Sequence, residues 1–318
     1  MGADGERRDR LEPAPLRLNY GGNTPVRRGR YGMQSLVFGL ITGSLLAVAT
    51  AGFALLRNTE RFLHIAHGQF MALGAFLAVV LTAQWGLVPG VLVSVTVVAG
   101  AGVLCGALLF DPVKPQGGNV LLFTSIGLAW VIYALLIAVF GTEVRIFEVS
   151  LGQGWDLGPI SLAPGELAIL AIAALVILGL WLLLNRTGLG RSIRAVASNR
   201  ELAEVRGVPV VRVSRVIWAL SSALAAVAGI LLGVLGTVTT ELGWSNILLV
   251  LAAAVLGGTG NILGVIAASL VLGIVMDASA LVIDTSYRPV VAFVILIGVL
   301  VLRPEGLFSV ARRREVAA

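Results

Sequence analysis

The sequence predicts an all-α integral membrane protein that crosses the bilayer about eight times, with two of its helices broken at glycines. The chain of 318 residues is 58% hydrophobic and only 13% charged, whereas a soluble domain is about a quarter charged. The apolar residues are gathered in runs, and most charged residues lie between the runs. This composition excludes an ordinary soluble enzyme, and it excludes a disordered chain, which needs low hydrophobicity.

Each predicted span is an apolar run close to the length of about 20 residues that a helix needs to cross a bilayer. The runs cover residues 33–56, 62–85, 87–110, 120–140, 167–184, 216–236, 247–276 and 290–302. Glycines at 257–260 interrupt the seventh run, and the last run is so short that it needs its flanks or a thinned membrane. A second break is expected within residues 64–74. The two broken segments resemble each other weakly, as an internal repeat would.

Two polar tails flank a membrane domain that spans residues 33–308. Residues 1–32 hold seven arginines and almost no apolar run, so we predict a disordered basic tail on the cytoplasmic side. Met33 opens the apolar pattern and is an alternative start, which would place this tail upstream of the translated chain. Residues 309–318 contain three consecutive arginines and form a predicted cytoplasmic tail.

Basic residues also orient the loops. Residues 185–215 hold seven arginines against two glutamates, whereas residues 141–164 hold one arginine against three acids. The first loop is therefore predicted to be cytoplasmic and the second to lie outside. The one lysine, Lys114, stands in a Val-Lys-Pro sequence. A phosphate-binding loop needs Gly-Lys-Ser/Thr, so any ATP-driven work requires a partner protein.

The cytoplasmic loop contains a predicted amphipathic helix over residues 192–204. Ile193, Val196 and Ala197 follow helical spacing and form one apolar stripe. Gly207 and Pro209 end the helix. The stripe could lie on the lipid surface or in a groove of a cytoplasmic partner, and both interpretations stay open.

The same loop carries a recognisable motif. Glu201-Leu-Ala203, followed by Gly207 and Ile217, resembles the "EAA…G…I" loop of ABC-importer membrane subunits, which docks in a cleft of the ATPase subunit. Leu202 replaces the middle alanine of the motif, and its closing Leu-Pro is missing. The pattern Thr-Gly-x-Gly-Arg-x-x-Arg-Ala over residues 187–195, with the following Asn-Arg-Glu, is narrower. It resembles the branched-chain amino acid permease family of the high-affinity leucine/isoleucine/valine type.

Three further stretches agree with that family. Residues 66–76 resemble its "NFAHG…GAY" signature, although His64 and Ile65 replace the usual Asn and Phe. Residues 257–264 resemble its "GGxGxxxG" break and residues 303–308 its "RPxGLF" end. The four matches occur in the family's order.

The resemblance implies the membrane-spanning permease subunit of an ABC importer and not an enzyme. Such a subunit is multi-pass in the bacterial cytoplasmic (inner) membrane and translocates branched-chain or related amino acids. Implied partners are two ABC ATPase subunits, a second permease subunit (a paralogue or a copy) and an extracytoplasmic substrate-binding protein. No cofactor is expected on this chain, because ATP is bound by the partner subunits, and no nucleic acid is expected.

The resemblance also implies two groups of functional residues. The residues expected to couple to the ATPase are Thr187, Gly190, Arg191, Arg194, Asn199, Glu201, Ala203 and Gly207. The residues expected along the translocation pathway are His67, Gly68, Gly257, Gly258, Gly260 and Asn261. For the glycines, close helix packing and a role in the pathway both stay open.

No metal site is predicted. His64 and His67 have spacing that could bind a metal, but Glu60 is the only candidate third ligand. Packing and helix-end hydrogen bonds are the favoured explanation for both histidines. The acids Glu241, Asp277 and Asp284 fall at span ends, where we expect them to be solvated.

Two rival functions remain. An ion-coupled secondary transporter of small polar solutes would need intramembrane carboxylates, and the sequence shows none well inside a span. A passive amide or urea channel would need no partner. An intramembrane enzyme is disfavoured, since the chain has no His-Glu-x-x-His motif and no nucleophile elbow.

Overall fold

The structure, a computed structural model, describes residues 25–149, 151–157, 160–258, 261–303 and 306–308. The helices are α1 (Pro25–Glu60), α2 (His67–Trp85), α3 (Leu87–Cys105), α4 (Asp111–Val113), α5 (Gly118–Phe140), α6 (Pro164–Arg186), α7 (Gly188–Ser198), α8 (Arg200–Val205), α9 (Val210–Leu235), α10 (Leu242–Gly257), α11 (Ile262–Ser279) and α12 (Arg288–Leu302). A π-helical turn (Gly106–Phe110) joins α3 to α4, and 3-10 turns cover Lys114–Gln116 and Thr285–Tyr287. Strands β1 (Trp155–Leu157) and β2 (Ile160–Leu162) form an antiparallel hairpin.

Among the described residues, eight helical stretches are long and apolar enough to cross a membrane. This confirms the predicted all-α membrane fold; the only addition in the described chain is the short hairpin. The predicted seventh run is two helices, α10 and α11, of which α10 is too short to span by itself. The helix α1 begins at Pro25, so residues 25–32 of the predicted disordered tail are helical. The rest of that tail, Gly260 and the tail 309–318 lie outside the described residues.

The helix α1 lies at the centre of the bundle and packs against α6, α9, α10 and α11. Glycines make the contact with α11 close. A Cβ atom added at Gly39 would lie 2.6 Å from the Cα atom of Ile274, and one at Gly43 would lie 2.9 Å from the Cα atom of Leu270. Gly39 and Gly43 are one turn apart, the small-xxx-small spacing that brings membrane helices into backbone contact.

The helix α9 has the same kind of contact with α2 and α3. A Cβ atom at Gly74 of α2 would lie 2.6 Å from the Cα atom of Ala226, and one at Gly106, after α3, would lie 2.7 Å from the buried ring of Trp218. Lipid gives no hydrophobic driving force between helices, so close packing of this kind must supply the cohesion.

The bundle has two faces. The coupling face is the one that carries α7 and α8, and the hairpin face is the one that carries β1 and β2. The start of α1 lies on the hairpin face, where Gln34 and the backbone of Ser161 exchange two hydrogen bonds of 2.8 and 2.9 Å. The end of α1 lies on the coupling face, where Arg61 Nη2 donates to the carbonyl of Ser198 at 3.1 Å.

This arrangement corrects the predicted orientation of α1. The basic tail was expected on the cytoplasmic side together with the coupling loop, but α1 begins on the opposite face. The basic residues that anchor α1 on the coupling face are instead Arg57 and Arg61, which flank its other end.

The acid Asp277 differs from its expected solvated position. Its side chain is only 2% exposed, and Oδ1 lies 2.8 Å from Arg288 Nη1. A buried carboxylate is tolerated because this arginine is beside it. Glu241 and Asp284 are exposed, as predicted.

The contact between α1 and α11 makes a stability prediction. Gly43→Val would force α1 and α11 apart, because the added atoms meet backbone rather than a side chain. Overpacking of this kind costs about 1–3 kcal/mol. We expect the melting temperature of the detergent-purified protein to fall by several degrees. Gly127→Val is the matched control, since Gly127 of α5 has open space around it; equal melting temperatures for the two variants would contradict the close contact.

The orientation of α1 can be tested by cysteine labelling in a Cys105→Ala background. A membrane-impermeant maleimide should label the Met33→Cys and Ser161→Cys variants in intact cells, because both positions lie on the hairpin face. The Ser198→Cys variant should react only after the membrane is opened. A Met33→Cys variant that behaves like the Ser198→Cys variant would overturn the assignment.

Candidate functional site

The predicted amphipathic helix of the coupling loop is two helices, α7 and α8, with extended backbone at Asn199 between them. Each helix has its own side-chain N-cap. Thr187 Oγ1 accepts a 3.0 Å hydrogen bond from the backbone of Gly190, and Asn199 Oδ1 accepts one of 3.0 Å from Leu202. These caps satisfy donors that a helix start leaves free. Thr187 and Asn199, both predicted coupling residues, therefore shape the segment.

The inner face of α7 and α8 is fixed to the bundle. Ile193 and Val196 of the predicted stripe are buried and Ala197 is half-buried, so the stripe packs on the protein's own bundle. Ala203 of α8 is also buried. A Cβ atom at Gly190 would collide with the carbonyls that end α6, which explains glycine at this position. Arg194 Nη1 donates to the carbonyl of Leu184, also at the end of α6. The guanidinium of Arg194 thus forms a hydrogen bond within this chain.

A glycine ends the segment. Gly207 has φ of 77°, a left-handed conformation that residues with a Cβ atom rarely adopt. Its N–H donates to Glu204, and the N–H of Val208 donates to Ala203. This pattern closes α8 and turns the chain toward α9.

The outer face of α7 and α8 is charged but carries two large apolar side chains. Arg191 and Glu201 are exposed. Leu202 is 52% exposed and Val205 is 86% exposed, one turn apart in a segment that lies between the spans α6 and α9. The sequence analysis noted Leu202 only as a departure from the motif, and it did not mention Val205. The sequence could have indicated this exposed pair, because Leu202 and Val205 are two apolar residues at helical spacing on the polar side of an amphipathic helix.

The second candidate site starts where α1 ends. Residues 61–66, here called the re-entrant segment, turn back into the bundle, so that His67 at the start of α2 lies 3.0 Å (Nε2 to O) from the carbonyl of Ala49. Ala49 is eleven residues before Glu60, which is about 16 Å along a helix. The helix α2 therefore begins deep inside the bundle, as the predicted first break requires.

Protein groups hold the re-entrant segment on all sides. Ser125 Oγ accepts the backbone N–H of Ala66 and lies 3.0 Å from His64 Nδ1. The His64 ring meets the Trp218 ring at a centroid distance of 5.0 Å. Because a carbonyl can only accept, the hydrogen bond to Ala49 requires that His67 carries a proton on Nε2. Both histidines thus have the hydrogen-bonding and packing roles favoured by the sequence analysis.

The start of α2 contacts the start of α10. A Cβ atom at Gly68 would collide with the carbonyl of Gly243 and lie 2.8 Å from Cβ of Ile247. Gln69 is 1% exposed, and neither atom of its amide group has a hydrogen-bond partner among the described residues. No side chain caps the start of either helix. Two helix N-termini and an unpaired amide therefore meet in the interior.

The other predicted pathway residues lie elsewhere. Gly257 and Gly258 are at the far end of α10, about 20 Å from Gly243 along the helix. There the C-terminal segment packs on the second break: Leu307 N–H donates to Leu256, and Asn261 Nδ2 donates to the carbonyl of Phe308 at 3.3 Å. The described residues of the predicted set are thus divided between two places, and Gly257, Gly258 and Asn261 lie where the C-terminal segment packs.

A cavity of about 600 Å³ opens near the outer end of α2. Its lining is mixed, with apolar side chains such as Val79, Leu87 and Ile146 beside the polar side chains of Thr82 and Gln84. It also contains Arg145 and Glu148, one residue of each charge. Within the described residues, no cluster of three or more His, Cys, Asp or Glu side chains could hold a metal ion.

Comparison with known proteins agrees with these features. A family model described as "Branched-chain amino acid transport system / permease component" matches residues 35–300. The high-affinity branched-chain amino acid transport system permease protein BraD of Pseudomonas aeruginosa is 30% identical over 295 residues, which are 87% of this chain and 95% of that protein. The corresponding LivH protein of Escherichia coli is 28% identical over 296 residues, 88% and 96% of the two chains.

A more distant transport system is also similar over part of the chain. The L-arabinose transport system permease protein AraH of Escherichia coli is 42% identical over 118 residues, which are 34% of this chain and 35% of that protein. No solved structure matches the chain. The match to the family model over most of the membrane domain, together with the eight candidate spans, shows that this multi-pass membrane protein belongs to the family of branched-chain amino acid transport permeases.

Proposed function

We propose that this chain is the membrane-spanning permease subunit of an ABC importer in the cytoplasmic membrane of a bacterium. It translocates branched-chain or related amino acids that an extracytoplasmic binding protein delivers, and two partner ATPases drive it. A second permease subunit, a copy or a paralogue, completes the complex. The observation that supports this most is the pair Leu202 and Val205, exposed and apolar on a helix that is fixed to the spans.

The exposed side chains of Leu202 and Val205 would be more stable in a groove of the ATPase than in water. Each side chain would gain about 25 cal/mol for every Å² of apolar surface that the partner covers. The charged residues around the pair, Arg191 and Glu201 among them, would form the rim of this contact. Because Ile193 and Ala203 fix the inner face to the bundle, a push on α7 and α8 would reach the spans directly.

The interior supports a zwitterionic substrate. The starts of α2 and α10 meet at Gly68 and Gly243, next to the buried and unpaired amide of Gln69, and helix N-termini attract carboxylates. The outer cavity adds Arg145 and Glu148 beside apolar side chains, which suits an amino acid with an apolar side chain. We propose that the pathway passes His67 and Gly68. The glycines Gly257, Gly258 and Gly260, with Asn261, would serve as the joint that lets α10 and α11 move.

Ion-coupled transport is the rival hypothesis. It would use a carboxylate that gains and loses a proton or a cation inside a span. The two most deeply buried acids among the described residues are Glu60 and Asp277, which face Lys114 and Arg288 at 2.8 Å each. Acids held by fixed basic partners are poorly placed for that role, which favours the ATP-driven importer.

The partner contact can be tested by co-purification in mild detergent. The tagged wild-type chain should recover two ABC ATPase subunits and a second permease. Val205→Glu should reduce the recovered ATPase at least tenfold, because a carboxylate cannot be desolvated in an apolar groove without a partner.

Val282→Glu is the matched control, since Val282 is 88% exposed and lies on the hairpin side of the bundle, after α11. It should recover the ATPase like the wild type. A folded wild-type chain that is recovered alone would argue against the ABC importer and in favour of the ion-coupled transporter.

The contact between α2 and α10 predicts a transport phenotype. Gly68→Ala would hold the two helix starts apart, because the added methyl group meets the carbonyl of Gly243. We expect ATP-dependent uptake of radiolabelled leucine into proteoliposomes to fall at least tenfold per assembled complex. Gly100→Ala, at a glycine with open space around it, should keep normal uptake. Normal uptake in the Gly68→Ala variant would remove this contact from the pathway.

A further inference from the structure

Glu60, the last residue of α1, is a buried carboxylate on which several elements converge. Its side chain is 1% exposed, and Oε2 lies 2.8 Å from Lys114 Nζ. Ser214 Oγ, from α9, donates to Oε1. Arg200 Nη1, from the first residue of α8, lies 3.6 Å from Oε2. A buried charge is costly unless it is paired, so these partners are what permits an acid at this position.

Glu60 has a short contact with Lys114 and a longer contact with Arg200. Lys114 is itself held by Asp111 at 2.7 Å, and Asp111 is held by Arg215 at 2.7 Å. This side belongs to the membrane domain. The contact with Arg200 is longer, at 3.6 Å, and the Arg200 side chain is 37% exposed. Lys114 and Arg200 share Oε2, and both contacts are ion pairs without hydrogen-bond geometry. A small shift of α8 would therefore tighten or release the contact between Arg200 and Glu60, while Lys114 and Arg215 stay paired with Asp111.

The neighbouring residue makes the second contact with the coupling helices. Arg61 Nη2 donates to the carbonyl of Ser198, the last residue of α7. Arg61 also has φ of 59°, a strained conformation for a residue with a side chain. The coupling helices thus hold two adjacent residues, Glu60 and Arg61, at the point where the chain turns into the re-entrant segment.

We infer that Glu60 is a positioning residue that transmits movement of α7 and α8 to the re-entrant segment and hence to the start of α2. The inference rests on the proposed function, in which the ATPase acts on α7 and α8, and it adds the route by which that action enters the membrane domain. Buried ion pairs contribute little to stability compared with apolar packing. An adjustable pair at this junction is better explained by a switching role.

The test measures ATP hydrolysis and leucine uptake in parallel, with the complete complex and its binding protein in proteoliposomes. Glu60→Gln keeps the shape of the side chain and the acceptor for Ser214 but removes the charge. We expect hydrolysis within twofold of wild type and uptake at least tenfold lower, so that fewer leucine molecules are carried for each ATP. Glu60→Asp should restore part of that ratio, which a lost packing contact alone would not explain.

Arg200→Gln tests the same contact from the more exposed side, and it remains informative if the Glu60→Gln complex does not assemble. Its matched control is Arg212→Gln, at an exposed arginine in the first turn of α9. Two residues that act through one contact should not have additive effects. The double variant Glu60→Gln with Arg200→Gln should therefore carry no less leucine per ATP than Glu60→Gln alone.

Three outcomes would overturn the inference. They are normal uptake in the Glu60→Gln complex, a parallel loss of hydrolysis and uptake in Arg200→Gln, and a double variant whose defect is the product of the single defects. In each case the wild-type complex still transports leucine with ATP, so the proposed function stands. A wild-type complex that shows no ATP-dependent uptake would instead contradict the proposed function.

Discussion

Lipid offers no hydrogen-bond partners, so every break in a membrane helix must be satisfied by protein, and this constraint organises the bundle. At the first break, Ser125 takes the N–H of Ala66 and His67 donates to the carbonyl of Ala49. At the second, the C-terminal segment bonds to the end of α10 through Leu307. The residues that border both breaks therefore bond to other parts of the protein. The close glycine contacts around α1 and α9 bring those helices near enough to serve this purpose.

The same constraint keeps charged side chains near the ends of the helices and out of the interior of the bundle. Among the described residues, the ion pairs lie beside the ends of helices, as for Glu60 with Lys114 and Asp277 with Arg288. The polar groups deeper in the bundle, such as Gln69 and Ser125, are neutral. A zwitterion that crosses such an interior meets dipoles and not a fixed counter-charge. We therefore expect selectivity to be set largely before the substrate reaches this subunit, which agrees with the proposed delivery by a binding protein.

Much of the fold could be predicted from sequence, because apolar run length and glycine position act locally. The spans, the amphipathic coupling segment and both breaks follow from such patterns. The division of the coupling segment at Asn199 could not, since it depends on a side-chain cap that competes with a continuous helix. The contacts of Glu60 could not be predicted either, because its partner Lys114 lies 54 residues away in the sequence; Glu60 was considered only as a third metal ligand.

The orientation of α1 was predicted wrongly because the arginines of the tail outnumber the two that flank its other end.

Helix α10 connects the re-entrant segment to the second break. Its first turn, at Gly243, contacts Gly68 just after the re-entrant segment, and its last residue, Gly257, borders the second break. A straight helix transmits displacement along its axis because its backbone hydrogen bonds resist compression. A movement that enters at Glu60 and Arg61 would reach Gly68, then α10, and then the joint at Gly258. Two alternating packing states require rigid elements that shift against each other at a few contacts, and glycines at both ends of α10 bring its neighbours into such close contact.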